Sequence, residues 1–203
     1  MSRNDPSFLQ EVAVFVRILE GALVASALSI VSIPPALAQA PVPEEAKAAM
    51  APLAWLAGSW SGEATITERA GTRVLHQAEE VRAALDGSLL VVEGTGREPT
   101  AEGEPGEVVF RAFAVLSAGD EPGRYRFAAW QGGRFVDARA EVAEDGTLTW
   151  GFDTPDGGEV RYVILHPEPD VWHETGSFRA SGSDEWHSFI ELTLHRQPTE
   201  NAR

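Results

Sequence analysis

Leu148-Thr149-Trp150-Gly151-Phe152-Asp153, then Thr154-Pro155-Asp156-Gly157-Gly158, then Glu159-Val160-Arg161-Tyr162-Val163-Ile164: these seventeen residues decide the fold class. Leu148, Trp150 and Phe152 fall two apart, and so do Val160, Tyr162 and Ile164, which gives each segment one apolar face. The Pro-Asp-Gly-Gly between them is turn chemistry, so the whole reads as a β-hairpin. The same grammar runs outward in both directions. Trp186, Ile190, Leu192 and Leu194 share a face, with His187, Glu191, Thr193 and His195 opposite. Turn clusters recur at a nearly even beat at Asp86-Gly87, Asp120 to Gly123, Gly132-Gly133, Asp145-Gly146, Pro155 to Gly158, Pro167 to Asp170 and Ser181 to Asp184. Spacing this short leaves no room for a helical crossover between parallel strands. The expectation is an all-β, up-and-down antiparallel barrel of about ten strands, near 58–67, 73–84, 88–97, 107–117, 124–131, 134–142, 147–153, 159–166, 171–180 and 186–196. The Pro-, Gly- and Glu-rich stretch from Glu98 to Gly106 reads as the one long loop.

Before the barrel the chain changes character. Gly21 to Ile33 is an apolar run too short to span a bilayer; Pro34-Pro35 and the small-x-small Ala36-Leu37-Ala38 follow it, and Arg17 precedes it. This is the pattern of a removed signal peptide over residues 1–38, the alternative being a retained anchor helix. Asp5 and Glu11 dilute the positive flank, which favours a translation start near Val16. The reading that follows is a periplasmic or secreted protein with no stable membrane insertion after cleavage. Residues 39–52 form a short helical lead, 53–196 the barrel and 197–203 a tail.

Composition excludes whole classes. With 16 Lys+Arg against 31 Asp+Glu, the formal charge is −15. That argues against nucleic acid and anionic membranes, both of which need a basic face. There is no cysteine, hence no disulfide, thiol nucleophile or thiolate metal site. Nucleophile elbow, phosphate loop, dinucleotide fingerprint and His-Glu-x-x-His are all missing. Nothing in the chain calls for a cofactor, and no residue is assigned a catalytic role.

The two ends of the barrel segment carry a resemblance. Leu53-Ala54-Trp55-Leu56-Ala57-Gly58-Ser59-Trp60-Ser61-Gly62 opens it, Asp86-Gly87-Ser88-Leu89 marks its second turn, and Leu194-His195-Arg196 closes it. This resembles the calycin superfamily, the lipocalins and fatty-acid-binding proteins, and within it a group of secreted bacterial lipocalin-like proteins of unknown function. The resemblance implies that Gly58 and Trp60 close the barrel base and that Arg196 lies over the Trp60 indole. It also implies a non-catalytic barrel holding a small hydrophobic or amphiphilic molecule. The aromatics Phe110, Phe127, Trp130, Trp150, Phe152, Trp172 and Phe178 are then either the ligand wall or the packed core of a closed barrel.

More distantly, Gly58 to Gly62 resembles the opening of nitrobindin-like haem barrels. There a histidine from the C-terminal strands holds the iron, for which His187, then His173, are the candidates. Strict alternation turns both away from the apolar face, and only a β-bulge would reverse that. The two could also lie opposite one another across neighbouring strands, although two ligands do not complete a zinc site. A third reading, a barrel lyase or isomerase, would need an interior carboxyl, with Glu93 or Glu80 as candidate beside Arg82. Arg111, Arg126, Arg139, Arg161 and Arg179 fall one per strand. Turned inward, any of them would bind a carboxylate or phosphate head; turned outward, they pair with acids across the sheet. Arg161 and Arg179 oppose the aromatic face and read as external.

Overall fold

The computed structural model describes residues 41–198. The predicted signal segment lies outside the described residues, as does all but the first two residues of the tail. A short helix α1 (Glu44–Met50) runs into a 3-10 turn (Ala51–Leu56) with Pro52 in its first positions. Ten strands follow: β1 (Gly58–Glu68), β2 (Gly71–Ala84), β3 (Leu89–Pro99), β4 (Pro105–Ala118), β5 (Arg124–Gln131), β6 (Arg134–Val142), β7 (Leu148–Asp153), β8 (Glu159–Leu165), β9 (Val171–Arg179) and β10 (Trp186–Arg196). Each pairs antiparallel with its sequence neighbours, and β1 pairs with β10 to close the barrel. Closure matters physically, because it leaves no row of unpaired strand-edge groups.

Local chemistry sets the register. Gly132 and Gly133 both hold positive φ (55° and 77°), the two-residue turn whose twist matches the β5–β6 strands it joins. At the expected long loop the strands are longer than predicted. β3 runs to Pro99 and β4 begins at Pro105, leaving a tight turn closed by Thr100 N–H on the Glu104 carbonyl (2.8 Å). The ladder is irregular between Gly96 and Pro99, where a proline without an N–H cannot complete it. Arg97 donates to the Gly106 carbonyl there instead (2.9 Å).

Alternation divides the barrel into an inner and an outer face, and the inner face is packed most densely at one end. Met50, Leu53 and Leu56 plug that end above Trp60, Leu116, Tyr125, Leu148, Trp172 and Leu194. The Tyr125 hydroxyl ties the plug to the wall by donating to the Ala49 carbonyl (3.1 Å). The other end is rimmed by the β1–β2, β3–β4, β5–β6, β7–β8 and β9–β10 turns, and none of the described residues plugs it in this way. No described helix is long and apolar enough to cross a membrane.

Candidate ligand-binding site

The inner wall is read directly from the register. Gly62 faces Gln77, Gln77 faces Gly96, and Gly96 faces Phe110. On the same face run Gly94, Ala112, Ala114, Ala129, Ala138 and Ala140, so the middle of the β3–β6 wall carries a run of residues with little side chain. The β7–β9 wall is bulky: Trp150 pairs with Tyr162, Phe152 with Val160, and Val160 with Phe178. Phe127 reaches past Ala138 to join it. Phe127 and Trp150 stack at 4.2 Å and 11°, and Trp150 and Tyr162 at 4.1 Å and 6°. Trp150, Phe152, Tyr162, Ala129, Val136 and Phe110 all point inward yet keep partial solvent exposure. These inward side chains are thus less completely buried than those packed against the plug.

Within this chamber stand two carboxyls. Glu79 lies between Trp60 of β1 and Gly94 of β3; Glu174 lies between Ile164 of β8 and Leu192 of β10. Gln77 Nε2 donates to Glu79 Oε1 (2.6 Å), and Trp172 Nε1 donates to Glu174 Oε2 (3.1 Å). Burial pushes the Glu79 carboxyl up to about 7, against the opposing pull of the Gln77 hydrogen bond. Glu174 is pushed up to about 8, first by burial and then by the Glu79 charge; hydrogen bonds from Trp172 and Trp150 pull the other way. Burial raises the Tyr162 phenol as well, with the Glu174 charge adding to it. Gly94 is what makes room for Glu79, since a Cβ there would sit 2.8 Å from its Oε1.

Sequence reasoning missed both acids, although the signal was available. Leu75 and Val81 are buried and two apart in parity from Gln77 and Glu79; Glu174 shares parity with Trp172 and Phe178. The acids favoured on sequence are outside. Glu80 and Glu93 pair with each other on the outer face, where Ser59 Oγ donates to Glu80 (2.6 Å). Arg82 is exposed beside them. The arginines are outside too. Arg126 pairs with Asp137 (3.0 Å), Arg161 lies over the outward Trp186 ring at 4.0 Å with Arg179 behind it, and Arg111 and Arg139 are exposed. An interior arginine for an anionic head is thereby replaced by an interior acid pair.

Of the seven aromatics proposed as a ligand wall, Phe110, Phe127, Trp150, Phe152, Trp172 and Phe178 face inward. Trp130 is the correction. Tyr125, Phe127 and Ala129 take the inner face of β5, so alternation throws Trp130 outward, 43% exposed between Phe113 (5.8 Å) and Phe135 (5.0 Å). The histidines separate as well. His173 lies on the outer face, with its Nδ1 3.1 Å from Thr193 Oγ1, and it pairs with Thr193 rather than with His187. At Phe189 an extra residue breaks the β9–β10 register, so His187 lies opposite Phe178, on the inner side of the rim. Its side chain is 62% exposed, with Glu185 at 4.0 Å. Among the described residues no group of three metal-binding side chains comes together.

At the plugged end, Arg196 lies 4.1 Å over the Trp60 ring. Its guanidinium donates to the Ala57 and Trp55 carbonyls (2.7 Å each), and its Nε to Asp170 (3.0 Å). Trp60, 1% exposed, donates Nε1 to the Leu56 carbonyl (2.8 Å) and meets Trp55 and Trp172 edge to face. A Cβ on Gly58 would run into the Arg196 guanidinium.

The fold is a closed ten-strand antiparallel barrel with one plugged end. Among solved structures, the chain is similar to the crystal structure of Rv2717c from M. tuberculosis, with TM-score 0.52, 17% identity, and coverage of 74% of this chain and 98% of that one. It is also similar to the S-type phycobiliprotein lyase CpeS from Guillardia theta, with TM-score 0.53, 14% identity, and coverage of 72% of this chain and 90% of that one. At these identities the likeness is one of fold. No family model matches the chain, and no curated protein matches it in sequence.

Proposed function

We propose that this protein is an exported, non-catalytic barrel that holds a small hydrophobic or amphiphilic molecule in its interior. One observation supports the reading: inward aromatics of the β7–β9 wall are only partly buried and face a run of alanine and glycine positions, a lining suited to a ligand pocket. The fold likeness to a barrel whose name denotes work on phycobiliproteins agrees with a ligand-holding interior, and fold alone does not fix the ligand. The N-terminal pattern at Gly21 to Ala38 supports a periplasmic or secreted location. The test compares native and denaturing mass spectra, with an absorbance scan, of the protein purified from a periplasmic extract. A mass that leaves on denaturation supports the reading. Failure to export, or a bare protein that no apolar compound stabilises against heat, contradicts it.

The Phe189 bulge favours a second reading, haem held by His187, because it turns that residue to the inner side of the rim beside Phe178. A Soret band on haem addition that is lost in His187→Ala would promote it. No band would remove it.

A further inference from the structure

We propose that the chamber recognises its ligand by a protonated basic nitrogen, an ammonium or amidinium on a flat apolar body, seated against Glu79 and Glu174. This rests on the ligand-binding reading and names the chemistry of the ligand's head.

The first ground is an imbalance of hydrogen-bonding groups. Glu79, Gln77 and Glu174 together present carboxyl and amide oxygens that outnumber the donors aimed at them. Apart from the protons the carboxyls themselves carry, the donors are Gln77 Nε2 on Glu79, and the Trp172 and Trp150 side chains on Glu174. Glu79 Oε2 and Gln77 Oε1 receive no hydrogen bond from the described residues and are left to solvent, since no fully buried side-chain polar atom there lacks a partner. Acceptors that meet solvent rather than a protein donor are free to be taken up by a ligand bearing several N–H groups.

The second ground is charge. No described cation reaches the acid pair. Arg73 and Arg134 share the inner parity but lie at the exposed rim, and Arg73 is held there by Glu68 (3.2 Å) and Glu98 (3.7 Å). Arg196 is spent on Asp170 and two carbonyls at the plugged end. The titratable groups that face the two carboxyls across the chamber are each other and Tyr162; their strand neighbours Trp60, Gly94, Ile164 and Leu192 carry no charge. A buried carboxylate without a cation is unfavourable, and pairing it restores the balance. An anionic head would meet two acids and no base.

The third ground is the wall. The parallel stack of Phe127, Trp150 and Tyr162 gives a flat body a broad apolar surface to lie against, and Trp150 and Tyr162 beside Glu174 add aromatic attraction for a cationic head. In the empty barrel burial keeps the carboxyls protonated well above the usual carboxylate range. Seating an ammonium therefore sends a carboxyl proton to solvent: the O–H bond breaks, the electron pair stays on the carboxylate, and the nitrogen enters already protonated.

The test is isothermal titration at pH 7 of the purified full chain with three probes of one shape: naphthylmethylamine, naphthalenemethanol and naphthoic acid. We expect the amine to bind about tenfold or more tighter than the alcohol, a step of roughly 1.4 kcal/mol, and the acid to bind weakest. Repeating the amine titration in buffers of different ionisation enthalpy should reveal net proton release, absent for the alcohol. In the double variant Glu79→Gln, Glu174→Gln the amine's advantage should vanish while the alcohol still binds. If that variant does not fold, proton release by the unaltered protein decides. An acid that matches the amine, an advantage that survives the double variant, or amine binding without proton release overturns the proposal. An alcohol that binds as well as the amine sinks this inference alone, whereas no binding by any probe sinks the ligand-holding reading with it.

Discussion

The two ends of this barrel are built on opposite principles. At the plugged end the polar side chains are tied to the protein itself: the Trp60 indole has the Leu56 carbonyl, and Arg196 has Asp170 and two carbonyls. Three tryptophans meet there edge to face, and Leu53 and Leu194 are completely buried. Just inside the plug two acids sit without a cation beside Trp60 and Trp172, and farther toward the open end the aromatics stack flat and stay partly exposed. Dense packing with internal partners is what stability needs; acids without a cation beside partly exposed apolar surface are what a ligand can use. The difference assigns stability to one end and recognition to the other.

That division can be broken by substitution, starting where the effect should be greatest. Trp60→Ala should cost about 4 kcal/mol in a denaturant titration, the usual toll of removing a large buried aromatic. The preference among probe head groups should persist wherever the variant still folds, and a loss under 1 kcal/mol would mean the plugged end is not the anchor. Arg196→Ala comes next, at about 2–3 kcal/mol, because it strands the Trp55 and Ala57 carbonyls and strips the Trp60 face. Equal stability of Arg196→Lys would contradict the fork geometry, since one ammonium cannot serve both carbonyls and Asp170.

The acids give a pH signature of the opposite kind. Both folded values, about 7 and about 8, lie above the ordinary 4.5, so between these limits the folded protein holds protons that the unfolded chain has released. Stability should accordingly fall as pH rises from about 5 to about 8 and level off above, with Tm lower by several degrees at the alkaline end. Glu174→Gln should flatten this slope and stabilise the empty protein at pH 9 by about 1–2 kcal/mol, having removed an uncompensated buried charge. A slope unaltered by that substitution would show that other groups set it. Smallest of all, Trp130→Ser on the outer face should change stability by less than about 0.5 kcal/mol and leave probe binding as it was.

Much of the architecture was legible because turn chemistry and alternation are local. The Gly132-Gly133 hairpin and the Trp150/Phe152 against Val160/Tyr162 faces needed no tertiary knowledge. The site was harder. Glu79-Glu80 and His173-Glu174 are polar doublets, and in a strand one of each must point inward. Polarity alone does not choose between them; the flanking parity of Leu75 and Val81, or of Trp172 and Phe178, does. Trp130 was misassigned because its size outweighed its parity with Arg126, while Ala129 occupies the inner place. Two features were beyond a local reading. The extra residue at Phe189 reverses His187, and no composition cue marks it. The turn at Thr100 to Glu104 is shorter than its prolines suggested, because strand pairing continues up to Pro99 and Pro105.

The central claim is that the ligand sits inside, against the small-residue wall, and it can be tested by occupying that space. The measurement is the dissociation constant of naphthylmethylamine for Ala129→Phe, which fills the inner face of β5, beside that for Trp130→Ser on the outer face of the same strand. The account predicts at least a tenfold weakening for Ala129→Phe and less than a twofold change for Trp130→Ser. Weakened binding in Trp130→Ser with Ala129→Phe unaffected would place the ligand on the outer wall and contradict the account.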